Sequence, residues 1–236
     1  MQINNNYNTV SFSSLKCPVK PFIIETSKGK LYCSEIDYSK SYDNIFCRKI
    51  SQFFLDIFAN TSSHPFWKKC RKPTLDKKIY EDYIISTIAD YKKNFPDADT
   101  TVLLAKDKNN NFVGGIHSTK LNLSREITDK DTLYIDGLAI KTEYRGQNIG
   151  KILLEKVIQA SKNRFTDVFL VAYKESTGFY EKLNFKKMDK NDSAQDFAIK
   201  RLAELRIDYP KYADLMYKKI GEKCSDTWYE RIKNNK

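Results

Sequence analysis

Between residues 132 and 173 the apolar periodicity changes twice, and that change constrains the fold more than any other feature of the chain. Residues 132–141 read as a strand. A glycine-containing turn, Tyr144 to Gly150, leads into a helix at 149–163 with Ile152, Leu153, Val157 and Ile158 on its inward stripe. A near-continuous apolar run, Val168-Phe169-Leu170-Val171-Ala172, then fills 167–173, the pattern of a strand buried on both faces. Strand, helix and strand in this order make a crossover on a sheet covered by helices.

The rest of the chain supplies the sheet's other strands and its layers. Residues 31–36 read as a first strand. In 42–58, Ile45, Phe46, Ile50, Phe53, Phe54, Ile57 and Phe58 recur at intervals of three and four, an amphipathic helix. A basic, aromatic loop follows at 64–73, with Phe66 and Trp67 among its lysines, and a second helix at 77–94. After Pro96 the period becomes that of strands. Segments 101–106 and 112–121 are joined by Asp107-Lys108-Asn109-Asn110-Asn111, a hairpin. Beyond the crossover we expect a short helix at 176–183, a strand from Phe185, an insertion at 189–210 with helical character from 194 to 207, and a last strand at 212–220. The fold class is therefore α/β with a mixed sheet of the α+β kind. The domain spans 31–220, preceded by an extension, 1–30, and followed by a charged tail, 221–236.

Composition excludes several function classes. Hydrophobic residues make up 41% and aromatics 13% of 236, which rules out a wholly disordered chain. No apolar run approaches the roughly 20 residues of a membrane span. The polar start, Met1-Gln2-Ile3-Asn4-Asn5-Asn6, lacks a secretory pattern, so the expected location is cytoplasmic, with no membrane partner. Cys17, Cys33, Cys47, Cys70 and Cys224 include no CxxC pair, and His64 and His117 are the only histidines, so no metal is expected. The formal net charge of +11 favours anionic partners. The lysines are spread along the chain and no aromatic-basic RNA motif is present, so nucleic acid is disfavoured.

One kind of anion site is written into the turn. In Leu138-Ala139-Ile140-Lys141-Thr142-Glu143-Tyr144-Arg145-Gly146-Gln147-Asn148-Ile149-Gly150-Lys151 a strand feeds a helix whose N-terminus starts inside a glycine turn. Unpaired amides and the positive dipole end favour phosphate there, and Arg145 and Lys151 add charge. The P-loop spacing fails, because only three residues separate Gly146 from Gly150 where that motif needs four, and Ile152 follows Lys151; the dinucleotide G-x-G-x-x-G is absent.

The segment Arg145-Gly146-Gln147-Asn148-Ile149-Gly150 resembles the acetyl-CoA signature of the GNAT superfamily of N-acetyltransferases, with Asn148 where the signature's first glycine stands. About thirty residues on, Gly178-Phe179-Tyr180-Glu181-Lys182-Leu183-Asn184-Phe185 is similar to the family's Phe-Tyr-Glu-Lys-Leu-Gly-Phe segment, and Ala213-Asp214-Leu215-Met216-Tyr217-Lys218-Lys219 to its closing strand. The resemblance runs from about residue 31 to 220. It implies a GNAT-like fold: antiparallel N-terminal strands, a central bulged strand, a crossover helix and splayed C-terminal strands.

It also implies acetyl-CoA as co-substrate, attacked directly by a primary amine on a small molecule or protein. Leu138, Ala139 and Ile140 would line the pantetheine arm. Amides from Arg145, Gly146, Gln147, Asn148, Ile149, Gly150 and Lys151 would hold the phosphates. Tyr180 stands where the family places the tyrosine that serves the departing sulfur. Tyr173 stands where many relatives carry an asparagine. For the base, Asp136 is a carboxylate in a mostly apolar strand; His117 is the other candidate and a water chain the alternative to both, while Glu143 in the turn is expected to be solvated. No acidic cluster suits a polycationic acceptor, which disfavours polyamines and aminoglycosides. A non-catalytic acyl-CoA-binding module of the same fold is the other reading, and a homodimer stays open.

Overall fold

The computed structural model describes residues 19–36, 44–61, 78, 100–121, 132–191, 195–196, 199–200, 213–221, 227 and 230. The expected helix at 77–94 and the loop at 64–73 lie outside them, apart from residue 78. So do residues 1–18 and most of the expected insertion and tail.

Among the described residues, eight strands form one sheet. In chain order they are β1 (Phe22–Thr26), β2 (Gly29–Glu35), β3 (Thr100–Lys106), β4 (Phe112–Leu121), β5 (Thr132–Ile140), β6 (Asp167–Tyr173), β7 (Lys186–Lys187) and β8 (Ala213–Lys219). Spatially the order is β1-β2-β3-β4-β5-β6-β8-β7. Every neighbouring pair is antiparallel except β5 and β6. The described helices are α1 (Asn44–Thr61), α2 (Ile149–Ser161) and α3 (Lys174–Glu181). The mixed sheet and its crossover agree with the sequence reading, and the β6 range agrees to the residue.

The N-terminal side differs from expectation. Residues 22–26, read as part of an extension, are the sheet's edge strand, paired with β2 from Phe22↔Cys33 to Thr26↔Gly29. The reason lies in the turn. Only Ser27 and Lys28 intervene, and Gly29 takes φ 110°, a conformation that glycine adopts without penalty. An edge strand can carry polar residues and an exposed Ile23, so its apolar signal is diluted.

The helices cover opposite faces. Ile50, Phe53, Phe54 and Ile57 of α1 pack with Val102, Leu104 and Ala139 on one face. Gly115 permits this approach, because a Cβ there would lie 3.1 Å from Phe54 Cζ. On the other face Ile149, Leu153, Leu154 and Val157 of α2 join Leu103, Ile116, Leu133, Val168 and Tyr180. Each such side chain contributes about 1.5–3 kcal/mol by leaving water. Cys33, buried in that second core, has its thiol pushed up to about 12 by burial, which makes it inert at neutral pH.

Candidate functional site

The site is set by what happens to β5 halfway along. Its pairing with β4 runs Leu121↔Thr132 to Ser118↔Ile135, then resumes at His117↔Gly137. Asp136 is thus one extra residue on β5, a β-bulge that bends the strand. On the other side the parallel ladder with β6 covers only Leu133↔Val168, Tyr134↔Phe169 and Ile135↔Leu170. At its start the two strands are clamped, Thr132 Oγ1 donating to the buried Asp167 Oδ1 at 2.7 Å. Past Ile135 they part. The bulge and the splay therefore coincide at Asp136.

Backbone alternation decides which groups face the opening. Lys141 N–H donates to Val113 O at 2.9 Å, so with period two the peptide groups of Ala139 and Gly137 also point to β4. Those of Leu138 and Ile140 point to the opposite side, where β6 has departed. Of the three residues expected to line an acyl arm, Leu138 and Ile140 thus offer backbone groups to the gap. Ala139 does not; its side chain is buried against α1. The Ile140 carbonyl accepts from Arg145 Nε at 3.2 Å.

Asp136 does not stand alone. Its Oδ2 lies 2.8 Å from His117 Nδ1, with the histidine side chain 4% exposed and the aspartate 20%. A carboxylate oxygen accepts, so Nδ1 is the donor and holds the carboxylate in one orientation. His117 Nε2 is buried without a hydrogen-bond partner among the described residues. The two residues weighed as separate candidates are one pair. Nothing in the spacing could have joined them, because the bulge fixes their register.

At the far end of β5 a single turn of 3-10 helix (Thr142–Tyr144) precedes the glycine turn. Gly146 takes φ 78° and Asn148 φ 58°, ψ 9°; the asparagine thus occupies the left-handed region that a glycine would occupy in its place. The first bond of α2 is Ile152 N–H to Asn148 O, 2.9 Å, so the amides of Ile149, Gly150 and Lys151 precede the helical ladder. Arg145 departs from expectation. Its amide already donates to Thr142 O at 3.1 Å, which leaves the amides of Gly146 to Lys151 as the candidate stretch for an anion. A Cβ on Gly150 would meet only ordinary contacts, 3.6–3.7 Å from Ile140, Phe179 and Leu138. Gly150 is therefore not required by packing.

The Gln147 side chain has another task that the sequence reading missed. Ser27 donates its N–H and its hydroxyl to Gln147 Oε1, at 2.8 and 2.9 Å, which docks the β1–β2 turn on the glycine turn. A two-residue polar loop ending in glycine between alternating runs was the available signal.

Tyr180 lies on α3, 8% exposed, its ring edge-on to Phe179 and Phe185 at 5.0 and 5.5 Å. Burial pushes its hydroxyl well above the usual tyrosine range, so it stays protonated and keeps a hydrogen to donate. Glu143 is exposed on the short helical turn. A separate cavity of about 620 Å³ lies along α1, between Lys49, Asp56, Phe112 and Glu143; Asp136, His117 and Tyr180 do not line it.

The family profile described as acetyltransferase (GNAT) family matches residues 64–185. No curated protein matches the chain in sequence. Among solved structures, an acetyltransferase of the GNAT family from Staphylococcus aureus Mu50 is 18% identical, with TM-score 0.52 over 80% of this chain and 99% of its own. The catalytic domain of the Tetrahymena GCN5 histone acetyltransferase, in complex with coenzyme A, is 13% identical, with TM-score 0.51 over 83% and 96%. PH1933 from Pyrococcus horikoshii OT3 is 16% identical, with TM-score 0.50 over 79% and 98%. These likenesses are of fold.

Proposed function

The chain belongs to the GNAT acetyltransferase family, and from that premise we propose that it moves an acetyl group from acetyl-CoA to a primary amine by direct attack. One observation carries the reading: the strand whose outer peptide groups are released at Asp136 leads directly into a glycine turn whose amides precede the ladder of α2. A donor with an amide-bearing arm and a pyrophosphate has both features to bind at once.

The thioester supplies the activated acyl group; the chain's own residues do the rest. Amides from Gly146 to Lys151, at the positive end of α2, bind the pyrophosphate. Peptide groups of Leu138 and Ile140 orient the arm in the gap. Asp136, held by His117, takes the proton of the attacking amine, directly or through water. The Tyr180 hydroxyl, fully protonated, donates to the departing sulfur. Orientation of amine and thioester supplies much of the acceleration.

The experiment is amine-dependent release of CoA, measured as free thiol, over a panel of small amines, amino sugars and peptides bearing lysine or a free N-terminus. Its control is Gly150→Glu, whose Cβ meets only ordinary contacts and whose carboxylate sets a negative charge among the phosphate amides; a melting curve without ligand verifies that it folds. Acetyl-CoA at about 100 times its dissociation constant stabilises the native chain by about 2.7 kcal/mol, and the variant loses that shift. Stabilisation without amine-dependent release across the panel would favour the non-catalytic module.

A further inference from the structure

We propose that the β1–β2 turn is part of the donor site and that Lys28 reads the 3′-phosphate at the nucleotide end of acetyl-CoA, an inference that rests on the acetyltransferase reading above. The turn is far from the glycine turn in sequence and bound to it in space. Ser27 donates twice to Gln147 Oε1, at 2.8 and 2.9 Å. Its own shape is fixed as well: Thr26 Oγ1 donates to Gly29 O at 2.6 Å and accepts from Lys28 N–H at 3.2 Å. Lys28 is therefore carried on a small rigid platform, not on a loose loop.

The surrounding charges single out Lys28. Its ammonium sits over the Tyr144 ring, 5.1 Å from the centroid, on an aromatic face and exposed. Two of the other cations at this end already have partners. Lys151 lies 3.9 Å from Glu155, and Arg145 Nε donates to the Ile140 carbonyl. The amides of Gly146 to Lys151 suit the pyrophosphate, which leaves the dianionic 3′-phosphate in need of a partner beyond the helix terminus. Lys28 stands on the neighbouring platform, and an ammonium there is a point charge suited to a phosphomonoester.

The test is calorimetric titration of the full chain with CoA and with 3′-dephospho-CoA. Wild-type protein is expected to favour CoA. Lys28→Ala should weaken CoA roughly five- to tenfold while changing dephospho-CoA by less than about twofold, and Lys28→Arg should restore the preference. Gln147→Ala, which frees the platform, should narrow the preference in the same direction. Lys28 is exposed, so these variants fold, and melting curves verify it. Equal weakening of both ligands, or no change in either, would overturn the proposal while leaving the acetyltransferase reading intact. If wild-type protein binds neither ligand, the reading on which the proposal rests falls, and the proposal with it.

Discussion

Asp136 owes its position to being one residue too many for its strand. Because β4 pairs on either side of it, at His117↔Gly137 and Ser118↔Ile135, the bulge puts a carboxylate at the point where β5 leaves β6. Asp136→Asn should lower kcat by about 10²- to 10⁴-fold with little change in the KM for acetyl-CoA. His117→Asn should cost less, and the double variant no more than Asp136→Asn alone, because the histidine acts through the carboxylate. Steady-state kinetics of the three proteins decide it; fully multiplicative losses would contradict the pairing. Tyr180→Phe keeps the ring contacts with Phe179 and Phe185 and removes only the donor. We expect roughly 10²-fold lower turnover with an unchanged melting temperature. Since burial raises the pKa of this hydroxyl, no alkaline limb of the rate profile below its usual range should belong to it. At this scale the sequence was partly legible. An aspartate in an apolar strand and an asparagine in a glycine position both stood out, and Asn148 takes the left-handed backbone that its side chain tolerates. The bond between His117 and Asp136 was hidden, because it depends on a register between two strands that no single strand encodes.

Strongly periodic elements were readable, and the element that was missed lacked that periodicity. α2, β6 and the β3–β4 hairpin carry unbroken apolar stripes with clear turn chemistry between them. Their observed limits fall at or within two residues of expectation. β1 lies at the sheet's edge with one side exposed, so its pattern is weak and it passed for an extension. The last strands illustrate a different kind of stabilisation. Asp214 on β8 bonds Lys187 at 3.3 Å, Lys190 at 3.4 Å and Thr177 Oγ1 at 3.2 Å, which ties β7 and α3 to β8. Burial pushes the Asp214 carboxyl up, but the two lysines outweigh it and hold it below the usual range. A depressed carboxylate pKa in the folded state contributes stability at neutral pH, which fades as pH falls through the folded value. Wild-type protein should therefore exceed Asp214→Asn by about 1 kcal/mol at pH 7, a modest figure because the network is open to solvent. In urea melts the gap should begin to narrow below about pH 4, the unfolded carboxyl's range, and close once pH is below the folded value. A gap that did not narrow at all on acidification would show that packing, not charge, is responsible.

For the molecule as a whole, the sheet divides the labour. Its antiparallel half, β1 to β4, braces β5 and carries the β1–β2 turn to the glycine turn. The β6–β8 pair forms the opposite wall of the gap. Among the described residues no helix is long and apolar enough to cross a membrane. The net charge of +11 gives a field that draws anionic donors such as acetyl-CoA, and ionic strength should weaken that attraction. The acceptor was the least legible feature, because recognition of an amine depends on surfaces that converge from distant segments, whereas the proposed donor site is nearly contiguous from Asp136 to Lys151. The central claim is that the opening beside Leu138 and Ile140, together with the turn from Gly146 to Lys151, holds acetyl-CoA. Amide hydrogen exchange of the full chain with and without acetyl-CoA tests it most directly. The account predicts slowed exchange at Leu138, Ile140 and Gly146 to Lys151, lost in Gly150→Glu. Protection confined to the cavity along α1, with these amides unchanged, would contradict it.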